Sequence, residues 1–96
     1  MYAVIFRATI KKQDKIYSQY VQKMRQLAFD KYNCMDFFAL TEGDQEMAIS
    51  YWHSLEDIKK WKEDAEHASA QALGRTKWYK SYKVEIVEIK RSYAMN

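Results

Sequence analysis

Proline and glycine are almost missing from this sequence, which has no Pro and two Gly among 96 residues. The chain is also not poor in apolar residues, since these make up 48% of it and charged residues 30%. Disordered proteins have few apolar residues and are rich in proline and glycine, so this composition excludes that class. We expect regular elements joined by short connections, in one domain that spans residues 1–96.

Cysteine and long hydrophobic runs are equally scarce. A single cysteine, Cys34, cannot form an internal disulfide, which agrees with a reducing compartment. No run approaches the roughly 20 apolar residues of a membrane span. The first residues, MYAVIFRAT, lack a basic leader and favour a buried strand over a signal peptide. These features predict a cytoplasmic protein without a membrane partner.

No excess charge of one sign marks a surface for polyanions. The net charge of +3 comes from 16 basic and 13 acidic residues that alternate along the chain. Nucleic acid is therefore not an expected partner. Two histidines and one cysteine, with no ligand spacing between them, also give no reason to expect a metal.

Hydrophobic periodicity predicts four strands and two main helices. Asp14 is a candidate N-cap and Asn33 a candidate stop for the first helix, while Gly74 should break the second. Ser54 to Asp57 resembles a capping box. The predicted strands cover 2–9, 34–41, 45–53 and 82–91, and the helices cover 14–32 and 54 to the break, with a further short helical turn within 75–81.

The resulting order, βαββαβ, predicts an α+β fold of the ferredoxin-like type, with a four-stranded antiparallel sheet and both helices on one face. The strands carry apolar residues on both faces, as Val4 and Phe6 against Ala3 and Ile5 show. Because two helices cover one face, the other needs a partner. Packing against an identical subunit is the simplest cover, so we predict a homodimer.

Polar residues on the second helix form a row. Glu63, His67 and Gln71 repeat every four residues, and Arg75 lies near the same line. The row is either an ordinary solvated face or a reactive one. In the second case His67 could take a proton from a phenolic hydroxyl, since histidine exists in both forms near neutral pH, and Arg75 could stabilise the resulting anion.

Aromatic residues are candidates for a pocket that binds a flat molecule. Trp61 lies within the apolar stripe of its helix and is more often core in such a place. Arg7, within the first strand, is either a second anion-binding group or part of a salt bridge. The candidate substrate-binding residues are Arg7, Trp52, Gln71, Trp78 and Tyr79.

The stretch 48–93, AISYWHSLEDIKKWKEDAEHASAQALGRTKWYKSYKVEIVEIKRSY, resembles the antibiotic biosynthesis monooxygenase domains, and the resemblance extends over nearly the whole chain. It implies a dimeric α+β barrel with a pocket between sheet and helices in each subunit. It also implies oxidation of a phenol or quinol by dioxygen with no metal or organic cofactor. Heme-degrading relatives carry an Asn on the first strand, where this chain has Arg7, which disfavours that activity.

The resemblance, taken with the polar row on the second helix, predicts a cofactor-independent monooxygenase acting on a small aromatic or quinol-like molecule, with His67 and Arg75 as catalytic residues. The alternative is a small-molecule-binding or stress-related dimer without turnover. An RNA-recognition domain shares the element order, but the third strand, QEMAISYW, has neither the glycine nor the basic start of its signature.

Overall fold

The computed structural model describes residues 1–71 and 74–96, except for the side chain of residue 75. The described elements follow one another with short connections. In chain order they are β1 (Tyr2–Ile10), α1 (Lys15–Tyr32), β2 (Asp36–Glu42), β3 (Gln45–Trp52), α2 (Leu55–Gln71), α3 (Gly74–Trp78) and β4 (Tyr79–Glu88).

Helix α1 begins and ends where its capping residues predict. Asp14 has extended backbone angles, and its Oδ1 accepts a hydrogen bond of 2.8 Å from the amide of Tyr17. Asn33 adopts the left-handed conformation, with φ of 60°, and its amide donates to the Ala28 carbonyl. Both local predictions are confirmed because a cap depends on the adjacent turn alone.

The predicted start of α2 is confirmed, and a tight turn joins β2 to β3. The amide of Asp57 donates to Ser54 Oγ at 3.2 Å, as in the predicted cap at the start of α2. Gly43, with φ of 60°, lies in the tight turn between β2 and β3, a conformation that glycine adopts without a steric penalty.

The last strand was predicted three residues too late in the chain. It begins at Tyr79, directly after α3, because Tyr79 already pairs with Ile10 of β1. It ends at Glu88, the residue opposite Tyr2, where β1 itself begins. The amide of Ile89 still donates to the Met1 carbonyl at 3.0 Å, and β1 offers no further strand beyond that point.

The strands of the described chain form one antiparallel sheet in the order β2-β3-β1-β4. This order, with both long helices on one face, confirms the predicted ferredoxin-like βαββαβ fold. β1 is a central strand, since it pairs with both β3 and β4. Association into a dimeric barrel stays a prediction.

Alternation along the strands assigns each residue to one of two faces. We call the face that packs against the helices the helix face and the opposite one the open face. Val4 and Phe6 of β1 lie on the helix face, and Ile5 and Arg7 lie on the open face. The open face keeps large apolar groups in solvent, including Phe38, Leu40 and Met47, which are 56%, 64% and 42% exposed.

The core beneath the helices consists of two clusters. One contains Val4 with Trp52 and Ile58, and the other contains Ala8 with Tyr17 and Trp78. Phe6 lies between Val4 and Ala8 along β1 on the same face and is only partly buried. The middle of the helix face is therefore less densely filled than its two ends.

No helix among the described residues is long and apolar enough to cross a membrane.

Candidate functional site

A cavity of about 290 Å³ lies between the helix face of the sheet and the two long helices. Its floor crosses the sheet at one row of paired residues, where Ala39 faces Ala48 and Ala48 faces Phe6. Two neighbouring alanines cannot reach the helices above them, and Ala65 on α2 is equally short. The cavity thus follows from small side chains at matching positions.

Rings surround most of this space. Tyr17 and Tyr20 come from α1, Trp61 from α2, and Tyr79 and Tyr82 from β4. Trp61 is fixed by its indole nitrogen, which donates to the Met24 carbonyl at 2.8 Å. A cavity of this size with rigid aromatic walls suits a flat apolar molecule.

A carboxylate on the cavity floor faces this aromatic interior. Glu46 lies on the helix face near the start of β3, lines the cavity and is half-buried. The Tyr17 hydroxyl donates a hydrogen bond to Glu46 Oε2. The bond joins α1 to β3, so the carboxylate is held by an element other than its own.

Two tyrosines beside this carboxylate are strongly held in their neutral form. Burial raises the pKa of the Tyr17 hydroxyl, and the hydrogen bond to Glu46 raises it further. Burial likewise raises the pKa of Tyr79, although its hydrogen bond with Tyr17 acts in the opposite direction. Both phenols therefore act as hydrogen-bonding groups rather than as anions near neutral pH.

Tyr79 is the one predicted site residue that lines the cavity among the described residues. Trp52 and Trp78 are instead fully buried in the two core clusters. The indole of Trp52 donates to Ser50 Oγ at 2.8 Å. Trp78 packs against the rings of Tyr17 and Tyr20 on α1. Both were expected in a pocket wall, but large rings on the helix face can also fill core space.

Three further predicted residues, Arg7, His67 and Gln71, do not line the cavity. Arg7 is exposed on the open face, on the side of the sheet opposite the cavity. Side chains alternate between the two faces of a strand, and the neighbours Phe6 and Ala8 lie on the helix face. His67 and Gln71 are exposed on α2, and neither lines the cavity. The side chain of Arg75 lies outside the described part of the structure. Catalytic roles for His67 and Arg75 stay predictions.

Sequence reasoning missed Glu46, Tyr17 and the lining position of Trp61. Glu46 was visible as an acidic residue on the same strand face as Ala48, Ser50 and the buried Trp52, which is an unusual place for a charge. Its partner Tyr17 comes from a helix 29 residues earlier, and only the tertiary structure brings the two together.

The described residues contain no group of three or more His, Cys, Asp or Glu that could hold a metal ion. The polar groups that do line the cavity are hydroxyls and charged side chains. Glu46 lies on the floor, while Lys62 and Glu66 are exposed residues of α2 that also reach the lining.

Several solved structures share this architecture. SnoaB, a cofactor-independent oxygenase from Streptomyces nogalater, matches with a TM-score of 0.73 and 8% identity over 95% of this chain and 94% of its own. An antibiotic biosynthesis monooxygenase matches with a TM-score of 0.68 and 14% identity over 95% of this chain and 100% of its own. The chain has the fold of the antibiotic biosynthesis monooxygenases, as the resemblance of 48–93 predicted.

The uncharacterized protein YqjZ of Bacillus subtilis (strain 168) is 33% identical over 91 residues, which are 94% of this chain and 80% of that protein. The chain belongs to the same protein family as YqjZ. No family model matches it.

Proposed function

We propose that this protein is a monooxygenase that binds a small, flat aromatic or quinol-like molecule in the cavity between the sheet and the helices. The cavity itself carries the proposal, since a space of about 290 Å³ lined by tyrosine and tryptophan rings can hold a small aromatic molecule. The fold shared with SnoaB, a cofactor-independent oxygenase, supports the reaction type.

The proposed reaction needs dioxygen and the substrate alone. One oxygen atom becomes a carbonyl or hydroxyl of the substrate, the other leaves as water, and the substrate supplies the two electrons and two protons. An anthrone, for example, would lose the two hydrogens of its reactive carbon and gain a carbonyl oxygen. The protein's part is to hold the ring rigidly and to exclude bulk water from it.

Filling the cavity tests this assignment. Ala48→Phe places a ring on the cavity floor, whereas Ala70→Phe adds the same ring on an exposed position of α2 outside the lining. With anthrone as the probe, we expect oxygen uptake by the unmodified protein and by Ala70→Phe. We expect it to fall to the uncatalysed rate in Ala48→Phe, with folding checked by circular dichroism.

Equal uptake in both variants would contradict a reaction inside the cavity. Calorimetric binding of anthrone without oxygen uptake would favour the alternative function, a small-molecule-binding dimer without turnover. His67→Ala, measured in the same assay, tests the predicted base. A sharp fall would support that role, and an unchanged rate would assign proton transfer to another group.

We also propose that two copies associate through their open faces. Phe38 and Leu40 of β2 and Met47 of β3 are large apolar groups in solvent, and Leu40 and Met47 are direct cross-strand partners. Such a continuous apolar surface is costly for a monomer. A two-fold contact through this face would cover it and complete a barrel of two sheets.

A further inference from the structure

The cavity contains a charged acceptor that its apolar walls do not explain. Glu46 lies near the start of β3 on the same face of the sheet as Ala48 and Ser50, beside the buried Ala8 of β1. Leaving an ionised carboxylate in such a place is unfavourable unless its oxygens accept hydrogen bonds. The residue therefore points to a ligand group that supplies what the walls lack.

The orientation of this carboxylate is fixed, but it can accept further hydrogen bonds. The Tyr17 hydroxyl donates one hydrogen bond, and the bond goes to Oε2. An ionised carboxylate can accept about four hydrogen bonds through its two oxygens. Within the described structure, Oε1 of this cavity-lining residue is thus left able to accept from a ligand.

Tyr17 is itself held from several sides. Its backbone amide donates to Asp14 at the start of α1, and its ring packs edge-on against Trp78 and Tyr79 at centroid distances of 5.2 and 5.8 Å. The ring is 4% exposed, so few rotamers are open to it. A rigid donor makes Glu46 a rigid acceptor.

We propose that Glu46, held by Tyr17, is the specificity-determining residue of the cavity: it accepts a hydrogen bond from a hydroxyl of a neutral aromatic ligand and rejects carboxylate-bearing ligands of the same shape. This proposal rests on the proposed binding function of the cavity. It assigns the polar contact to a strand residue and its helix partner, and not to the exposed row on α2.

The physical basis is an asymmetry between ligands of similar size. A hydroxyl that donates to the carboxylate gains a charge-assisted hydrogen bond in an apolar surrounding. A methyl ether at the same place has no proton to donate and leaves Oε1 desolvated. A ligand carboxylate would bring a second negative charge beside Glu46.

Three naphthalene probes test this proposal by anaerobic calorimetric titration: 1-naphthol, 1-methoxynaphthalene and 1-naphthoate. In the unmodified protein we expect 1-naphthol to bind at least about tenfold more tightly than 1-methoxynaphthalene, the ratio that a hydrogen bond to a charged group gives. We expect 1-naphthoate to bind more weakly than either.

Variants then test whether Glu46 and Tyr17 cause this selectivity. Glu46→Gln should weaken 1-naphthol binding and strengthen 1-naphthoate binding, and the preference for 1-naphthol over 1-methoxynaphthalene should shrink. Tyr17→Phe keeps the charge but loses the orienting hydroxyl, so it should reduce the preference for 1-naphthol and still reject 1-naphthoate. Glu42→Gln, at an exposed position on the open face, is the matched control and should change none of the three affinities.

The outcomes separate the two proposals. Equal affinities for 1-naphthol and 1-methoxynaphthalene in the unmodified protein would overturn the role of Glu46 and leave the cavity as a binding site. This comparison needs no variant, so it decides even if Glu46→Gln fails to fold. Binding of none of the probes would overturn both proposals. Selective binding without oxygen uptake from anthrone would overturn the monooxygenase reaction and support the role of Glu46.

Discussion

Asp14 connects the start of α1 to the candidate site at the scale of one residue. Its carboxylate accepts from the Tyr17 amide at 2.8 Å, and Oδ2 lies 3.1 Å from Lys77 Nζ on α3. The hydrogen bond from the Tyr17 amide lowers the pKa of Asp14, with Lys77 adding to the effect against partial desolvation. The same residue that caps the helix thus positions the phenol that holds Glu46.

A lowered pKa in the folded state makes this contribution depend on pH. The stabilisation is complete above the pKa of about 3.9 that an aspartate has in the unfolded chain, and it is lost as the pH falls through the lower folded pKa. We expect Asp14→Asn to lower the melting temperature at neutral pH. The gap to the unmodified protein should be narrower at about pH 3, which is below the unfolded value, than at neutral pH.

Circular dichroism melts at both pH values check this, with Glu42→Gln as the control for removing an exposed acid. A gap for Asp14→Asn that stays constant or widens in acid would contradict the assigned role of the charge.

Residues differ in how far their neighbours along the chain determine their role. Asp14 and Asn33 were predictable because a cap is defined by one turn of backbone. Arg7 and Trp52 were not, because strand alternation gives a residue's face but not whether that part of the face is core, cavity or open surface. The role of Glu46 could be recognised only from the pairing of β3 with its neighbouring strands and from the position of α1 above it.

At the scale of elements, the pairing of β2 with β3 creates the apolar half of the open face. Phe38 and Leu40 alternate along β2, and Ile49 and Met47 stand opposite them on β3. The other half of the open face, formed by β1 and β4, carries Arg7 and its cross-strand partner Lys83. The side chains therefore favour burial of the β2 and β3 half against a partner sheet.

Charge reversal of this apolar surface tests the proposed dimer. We expect the unmodified protein to sediment at twice the 11.6 kDa mass of the chain. Leu40→Glu would place a charge in the centre of the contact, where its desolvation is unfavourable, and should give the monomer mass. Sedimentation equilibrium at micromolar concentration makes the measurement.

The matched control is Gln22→Glu, which adds the same charge on an exposed position of α1. It should sediment like the unmodified protein. A monomer mass for the unmodified protein, or a dimer that survives Leu40→Glu, would rule out association through this surface.

At the scale of the whole molecule, the element order was enough to predict the topology. Antiparallel strands with right-handed crossovers leave few arrangements for βαββαβ, and the observed sheet order is one of them. Strand limits were less predictable, as β4 shows, since its range is set by the length of β1. The cavity was predicted only through the family resemblance, because its cause, Ala39 facing Ala48, appears once the strand register is known.

The arrangement of the core gives the molecule its proposed activity. Two packed clusters, one around Trp52 and one around Trp78, stabilise the ends of the helix face and leave the middle open. Such a scaffold keeps the cavity from collapsing, because both ends are fixed by fully buried indoles. The cavity is thus a consequence of how the core is packed.

A crystal structure of the protein with bound 1-naphthol tests this account most directly. We expect the ring in the cavity between Trp61 and Tyr79, with its hydroxyl within hydrogen-bond distance of Glu46 Oε1. A naphthol bound elsewhere on the molecule, with the space above Ala48 closed by neighbouring side chains, would contradict the central claim that this cavity is the functional site.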